Sequence, residues 1–409
     1  MKSPSGGRTR RLFWVGLVSI GSGLPFGVFK ELLPVWLRLG GAPLQAIGGL
    51  NALALPWTLK VLWSPLVDKT GRRTTWIAGS LAAGAAALAA ASAAGARRLP
   101  LLAVLLGAFT LAGATQDIAV DAYTIGIIRK GEEGPANSVR VAAYRAALWL
   151  AGGAGVALAG FFPWSAVLVG AAAVMAALGA GVLLFAPSPD RREGARRLTW
   201  GLWRWAKRPG GLALAATVLL YRWPDAALGP MVRTFWVDHG VDPVTIGMVF
   251  SPATLGATVA GAVAGGLIVA RLGILRSLFW MAWAQALTNL AYAAVDRWNG
   301  GTGSVLAAAV VESLGGGLAT AAFISLLMRV CEKSRAAVEY ALLSALFAAT
   351  RDLTGAVSGI GVAALGYAGW FSATALLALP GLLLCRSSSL ARRVEEPVPF
   401  SGGPSGRAS

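Results

Sequence analysis

Long apolar runs alternate with short polar segments along almost the whole chain. A hydrocarbon core about 30 Å thick is crossed by about 20 residues of helix. Runs of that size fall at 12–30, 44–66, 75–95, 100–122, 137–160, 165–186, 212–236, 244–269, 275–295, 303–328, 337–362 and 366–386. They predict an all-α membrane protein with twelve transmembrane helices. The longest polar segment, 187–210, falls mid-chain and reads as a linker between two six-helix halves, 1–186 and 211–390. Within it Trp200, Trp203 and Trp205 lie beside Arg204, Lys207 and Arg208, as in an interfacial amphipathic stretch. The last residues, 391–409, are rich in Gly, Pro and Ser and read as a disordered tail. At the start, Lys2, Arg8, Arg10 and Arg11 run into the first apolar stretch with no small-residue cleavage site after it. That stretch therefore reads as a membrane helix, not a cleaved signal.

Composition agrees with this map. Hydrophobic residues make up 56% and charged residues only 13%, where a soluble chain carries about 25% charged. The 53 glycines and tracts such as 82–94 suit close helix packing in lipid. A net charge of +18 raises the question of nucleic acid, and the placement of the charges answers it. With the N-terminus inside, 26 Lys and Arg fall in cytoplasmic segments and 4 in outer ones. Arg140 is counted among the former. This is the positive-inside pattern of a multi-pass protein with both termini cytoplasmic. Cys331 and Cys385 have no metal-ligand spacing, and the single histidine, His239, falls in a polar turn beside Asp238 and Asp242. It is expected to be a solvated loop residue. No metal, no cofactor and no nucleic-acid partner are expected.

Charges inside spans are costly in hydrocarbon and default to functional hypotheses. The candidates are Lys30 and Glu31 in the first span, Lys60 in the second, Gln116, Asp117 and Asp121 in the fourth, and Tyr144 and Arg145 in the fifth. Arg222 and Asp225 follow in the seventh, Glu312 in the tenth, and Arg351 and Asp352 in the eleventh. Near-balance of sign favours mutual pairing that locks the bundle for most of them; the sharper reading is that some line a wet cavity. Asp117 and Asp121 are four residues apart, on one helix face. Two such carboxylates cannot both ionise cheaply in low dielectric, which suits a reversible proton carrier. Carboxylates also fall on helices one, four, seven and ten, the equivalent helices of nested inverted repeats around a central path. Gly and Pro are expected to interrupt the first helix at 21–25, the seventh at 221–225 and the tenth at 312–317, either beside a cavity or for close packing. A faint repeat relates the second-to-third helix junction, 64–73, to 266–276 six helices later.

The junction Asp68-Lys-Thr-Gly71-Arg72-Arg73 resembles the signature loop of the major facilitator superfamily, with Ser64 where that loop's leading Gly stands. Three stretches resemble the muropeptide permease (AmpG) family and the related acetyl-CoA transporters more specifically. They are 58–68 (Thr-Leu-Lys-Val-Leu-Trp-Ser-Pro-Leu-Val-Asp), 114–123 (Ala-Thr-Gln-Asp-Ile-Ala-Val-Asp-Ala-Tyr) and Tyr144-Arg145. The second half agrees at 312–317, 322–328 and 340–346. The resemblance implies the twelve-helix major facilitator fold and proton-coupled import of anhydromuropeptide-like, anionic cell-wall fragments by alternating access. It implies a monomer in a bacterial cytoplasmic (inner) membrane, with lipid and a small-molecule solute as partners and the proton gradient as energy source. In that reading Asp117, Asp121 and Glu312, with Asp225 and Glu31, supply cavity and proton carboxylates. Lys60, Arg145 and Arg222 hold anionic groups, Gln116 and Tyr144 join the same site, and Asp68, Gly71, Arg72 and Arg73 form a gating loop. Residues 29–36 (Phe-Lys-Glu-Leu-Leu-Pro-Val-Trp) differ from the small-residue run of muropeptide permeases, so siderophore or acyl-CoA transport stays open. A non-transporting assembly factor or receptor is the alternative from another class. An enzyme is not expected, because no nucleophile–base motif is present.

Overall fold

The computed structural model describes residues 4–70, 72–129, 132–188, 211–330 and 336–386. Among them the regular structure is helical throughout and groups into twelve segments. These are α1 (4–39), α2 (44–69), α3 (Arg73–Ala94), α4 (Leu99–Ile127), α5 (133–158) and α6 (Trp164–Phe185). The second six are α7 (211–238), α8 (243–272), α9 (Ile274–Arg297), α10 (Thr302–Val330), α11 (336–365) and α12 (367–385). Eight stretches are long and apolar enough to cross a membrane unaided. Most of the linker 187–210, including the Trp-rich stretch, the tail 391–409 and Gly71 lie outside the described residues.

Prolines and glycines shape the helices locally. In α2, Pro56 and Pro65 each sit in the first turn of a new helical piece, separated by tight 3₁₀ turns at Asn51–Ala54 and Lys60–Leu62. Proline lacks the N–H that would continue the preceding hydrogen-bond ladder, so in α2 it starts pieces. The expected break in α7 is present as a turn at Tyr221–Arg222. The expected break in α1 is not: the helix runs through Pro25 to Gly27, and the backbone then widens into a π turn at Val28–Leu32. α10 is likewise one unbroken helix over Thr302–Val330. Its glycines serve packing, since a Cβ on Gly317 would run into the Thr258 carbonyl and lie 2.9 Å from Ala262 N on α8. True left-handed glycines close the α8–α9 turn (Gly273, φ 79°) and the α11–α12 corner (Gly366, φ 70°).

The near side of the bundle is defined by the start of α1, the far side by its end. Contacts between the halves concentrate on the far side, where α2 crosses α11 and the α5 end meets α8. Glycines bring backbones together there: a Cβ on Gly48 would lie 2.5 Å from Gly359 N, and one on Gly247 would run into the Gly153 carbonyl. The main apolar core accordingly mixes both halves, with Leu33, Trp36 and Ile47 beside Phe235, Tyr292 and Phe371. A separate near-side core belongs to the second half alone and includes Leu214, Val218, Leu278, Phe323, Leu326 and Leu382. The bundle is joined on the far side, with the halves cored separately on the near side.

Outside the spans, Arg11 pairs with Glu132 between α4 and α5, and Arg129 N donates to the same carboxylate at 2.9 Å. The Arg11 guanidinium, helped by that N–H, holds the Glu132 carboxyl down at about 2.

A side chain at Gly317 has backbone on the facing side, so relief requires helix separation. Gly317→Val is expected to destabilise the protein by roughly 1–3 kcal/mol, read as a lower thermal midpoint in detergent. An unchanged midpoint would contradict the close α8–α10 contact.

Candidate functional site

The polar residues of the spans fall into three groups. The first lies within the first half. Asp117 on α4 accepts from Ser22 Oγ of α1 and from Lys60 Nζ of α2 at 3.2 Å. Asp121, one turn on, pairs with Arg140 of α5 and lies 3.7 Å from Lys60 Nζ. Two cations and two carboxylates thus join three helices, and the Ser22 hydroxyl adds the fourth. Trp63 Nε1 donates to Thr115 Oγ at 3.2 Å, tying the two family-like stretches of α2 and α4 together. Arg140 is therefore not a loop residue, as the charge count had it. It lies inside α5, where the Asp121 carboxylate offsets the cost of placing it in the span.

The second group lies within the second half, at the α7 break. Arg222 donates to Asp225 at 2.7 Å and to the Gly316 carbonyl of α10 at 3.3 Å. A methyl on Gly316 would lie 3.7 Å from Glu312 Oε1, 3.9 Å from Asp225 Oδ1 and 3.5 Å from Gln285 Oε1, so these three side chains surround one spot. Glu312 makes no ion pair with a described cation. Gln285 donates to Asn289 at 3.1 Å, Asn289 to Thr374 at 3.2 Å, and the buried Gln285 Oε1 accepts from no protein donor among the described residues.

The third group joins the halves. Glu31 of α1 pairs with Arg233 of α7, whose guanidinium also reaches the Gly152 carbonyl at 3.4 Å and Ser251 Oγ at 3.3 Å and covers the Trp236 ring at 5.0 Å. Arg38 forks onto Asp238 at 2.5 and 2.7 Å, and Tyr367 donates to the same carboxylate at 2.7 Å. Lys30 donates to Asn51 at 2.9 Å and to Asp352 of α11 at 3.2 Å; Thr58 donates to Asp352 at 3.3 Å. Under these ties a cavity of about 260 Å³ is lined by Phe26, Phe29, Lys30, Asn51, Asp225 and Arg351, among others.

The structure thus gathers Lys60, Asp117 and Asp121 in one half, and Arg222, Asp225 and Glu312 in the other. Glu31 goes to the inter-half seam. Tyr144 is half-buried with its ring 6.4 Å from Phe26. Two expected members fall outside the groups. Arg145 is exposed and pairs with no described carboxylate, because it is turned about 100° from Tyr144 around α5. Gln116 is buried beneath Gly21 with neither amide atom hydrogen-bonded among the described residues. His239 is no solvated loop residue: it stacks on Phe235, ring centroids 3.8 Å apart, and its Nε2 lies 3.3 Å from Asp296. In the loop expected to gate, Arg72 donates to Ser188 Oγ at 2.8 Å and Arg73 Nε is buried without a described partner. The Asp68 side chain is outside the described set, as is Gly71. Sequence reading passed over Arg233, Asn51, Gln285 and Asn289. Only Arg233 carried a usable signal, a lone charge within an apolar run.

No protein-family model matches the chain. The anhydromuropeptide permease of Escherichia coli strain K12 is 30% identical over 399 residues, an alignment covering 93% of this chain and 80% of that protein. Among solved structures, the nucleoside transporter NupG superposes with a TM-score of 0.71 at 13% identity over 95% of this chain and 100% of that one. A bacterial homologue of the lysosomal transporter Spinster, in an inward-facing and unoccupied conformation, gives 0.71 at 13% identity over 96% and 95%. The fold is that of the major facilitator transporters, and these relatives and neighbours are transporters, not enzymes.

Removing Arg233 leaves Glu31 unpaired at the seam. Arg233→Ala is expected to raise the far-side-open population at least about tenfold, a shift of about 1.4 kcal/mol. Spin labels at Gln45→Cys and Trp298→Cys, one in each half, would report it as a longer distance. An unchanged distance distribution would show that this pair does not hold the seam.

Proposed function

The chain belongs to the anhydromuropeptide permease (AmpG) family of major facilitator transporters, and on that footing we propose that it is a proton-coupled importer of anionic, muropeptide-like cell-wall fragments. The observation that carries this reading is a charged cluster inside each half, together with a cavity at the seam that Lys30, Glu31, Asp225 and Arg351 line and that ion pairs tie on the far side. Intramembrane charges that are organised around a path, and not merely paired at random, are what solute and proton movement require. In this reading the protein is multi-pass in a bacterial cytoplasmic membrane with both termini in the cytoplasm. The far side is then the outer face, and the described conformation is closed to the outside.

Glu312 carries the coupling proton. It shares its surroundings with Asp225, whose own charge is matched by Arg222, so a proton on Glu312 removes the like-charge neighbour from a site with a single cation. Its protonated hydroxyl also has an acceptor waiting in Gln285 Oε1. Asp117 and Asp121 already share Lys60 and Arg140; they act as counter-ions that hold those cations facing the path, with Asp121 open to exchange as Arg140 shifts. Solute and proton enter when the far-side ties open. Closure of the ties around both delivers them to the near side, which is alternating access by rocking of two bundles.

The test is uptake of labelled anhydromuropeptide by proteoliposomes with and without an inward proton gradient. Wild-type protein is expected to accumulate it only with the gradient. Glu312→Gln is expected to lose accumulation at least about tenfold yet keep solute-for-solute exchange, as for removal of the coupling proton alone. Accumulation by that variant at the wild-type rate would take Glu312 out of the proton path. Absence of wild-type uptake, with siderophores and acyl-CoA assayed in parallel, would reassign the solute.

A further inference from the structure

Four charged side chains line the cavity: Lys30, Glu31, Asp225 and Arg351. Glu31 is matched by Arg233 and Asp225 by Arg222. Lys30 and Arg351 are different, because both lean on one carboxylate. Asp352 is fully buried and accepts from Lys30 Nζ at 3.2 Å, from Arg351 Nε at 3.2 Å and from Thr58 Oγ at 3.3 Å. One carboxylate between two cations leaves one positive charge unmatched at the cavity wall. The balance of each cation's donors shows which one holds it. Lys30 spends its ammonium on Asn51 as well as Asp352, and its side chain is 16% exposed. Arg351 spends only Nε; both terminal nitrogens are without a hydrogen-bond partner among the described residues, and its side chain is 34% exposed. Its guanidinium lies over the Phe26 ring, 5.5 Å from the centroid. Phe26 is itself fixed edge-on against Trp57 at 5.3 Å.

A planar guanidinium oriented by Nε, backed by an aromatic face and presenting both terminal NH2 groups, is built for bidentate capture of a carboxylate. We propose that Arg351 is the solute-recognition residue of this cavity and binds a carboxylate at one end of the transported molecule, with Lys30 completing the positive wall. This rests on the transport reading above and replaces Arg145 as the expected anion ligand. The size of the cavity, about 260 Å³, is below the span of about 300–1,000 Å³ usual for whole drug-sized ligands. It takes an end group, and the remainder of a larger solute lies toward the near side. Arg351 sits on the second half and Lys30 on the first, so a carboxylate between them joins the halves through the solute itself.

Proteoliposome uptake of the anhydromuropeptide and of the same molecule with its carboxylates amidated separates the possibilities. Wild-type protein is expected to prefer the acid. Arg351→Gln is expected to raise the KM for the acid at least about tenfold, as for loss of a charged hydrogen-bonding partner, and to leave the amide as in wild type, which also controls for folding. Arg351→Lys keeps the charge without the fork and is expected to fall between them. Equal loss of acid and amide in Arg351→Gln, or an unchanged acid KM, would overturn the assignment with wild-type transport intact. Wild-type vesicles taking up neither would instead overturn the muropeptide reading, and the assignment with it.

Discussion

A charged side chain in hydrocarbon must find an opposite charge or leave the membrane, and nearly every polar contact in these spans follows from that requirement. Where the partners lie on helices of one half, they stiffen that half. Lys60 and Arg140 with Asp117 and Asp121 do this in the first; in the second, Arg222 is held by Asp225 on its own helix and reaches the Gly316 carbonyl of α10. Where the partners lie on different halves, the same physics fixes how the halves stand relative to each other. Glu31 with Arg233, Lys30 with Asp352 and Arg38 with Asp238 all cross the seam, and all sit on α1 facing α7 or α11. The conformation is therefore written in which opposite charge each α1 charge selects.

Backbone proximity makes those selections possible. The seam glycines Gly48, Gly247 and Gly359 let helices of opposite halves touch main chain to main chain, so that short side chains such as Asp352 reach across. In lipid no hydrophobic effect drives helices together, and small residues plus polar ties supply what holds them. Such ties are also breakable. A cross-half ion pair partly open to a wet cavity gains only modest net energy, and solute or proton can compete for its members. A joint built this way holds one state without being locked in it.

Much of this was legible in the sequence. The alternation of apolar and polar runs located all twelve helices, because segments such as 165–186 have no other stable place than a bilayer. The polar residues within spans were equally visible, and Asp117 with Asp121 on one face followed from a four-residue spacing. What was not legible was pairing. Nothing local distinguishes Arg145, which is exposed and pairs with no described carboxylate, from Arg140, which closes onto Asp121; the difference is about 140° around a helix whose partner here is 19 residues away in sequence. Arg233 acquires meaning only from Glu31 in the other half, and Asn51 from Lys30 on a neighbouring helix of its own half. The glycines of α10 predicted a break and gave a packing face, since the partner helix α8 decides which of these a glycine run becomes.

In this account the α1–α7 charge pair is a working joint between the halves, and what matters is that opposite charges face each other, not which helix carries which. A charge swap tests it most directly: uptake by Glu31→Arg, by Arg233→Glu and by the two combined. Each single variant places two like charges at the seam and is expected to lose nearly all uptake, while the double variant restores the pair and is expected to recover a substantial part of it. A double variant as inactive as the singles, with wild-type yield and thermal midpoint, would show that the two residues do not act through one another.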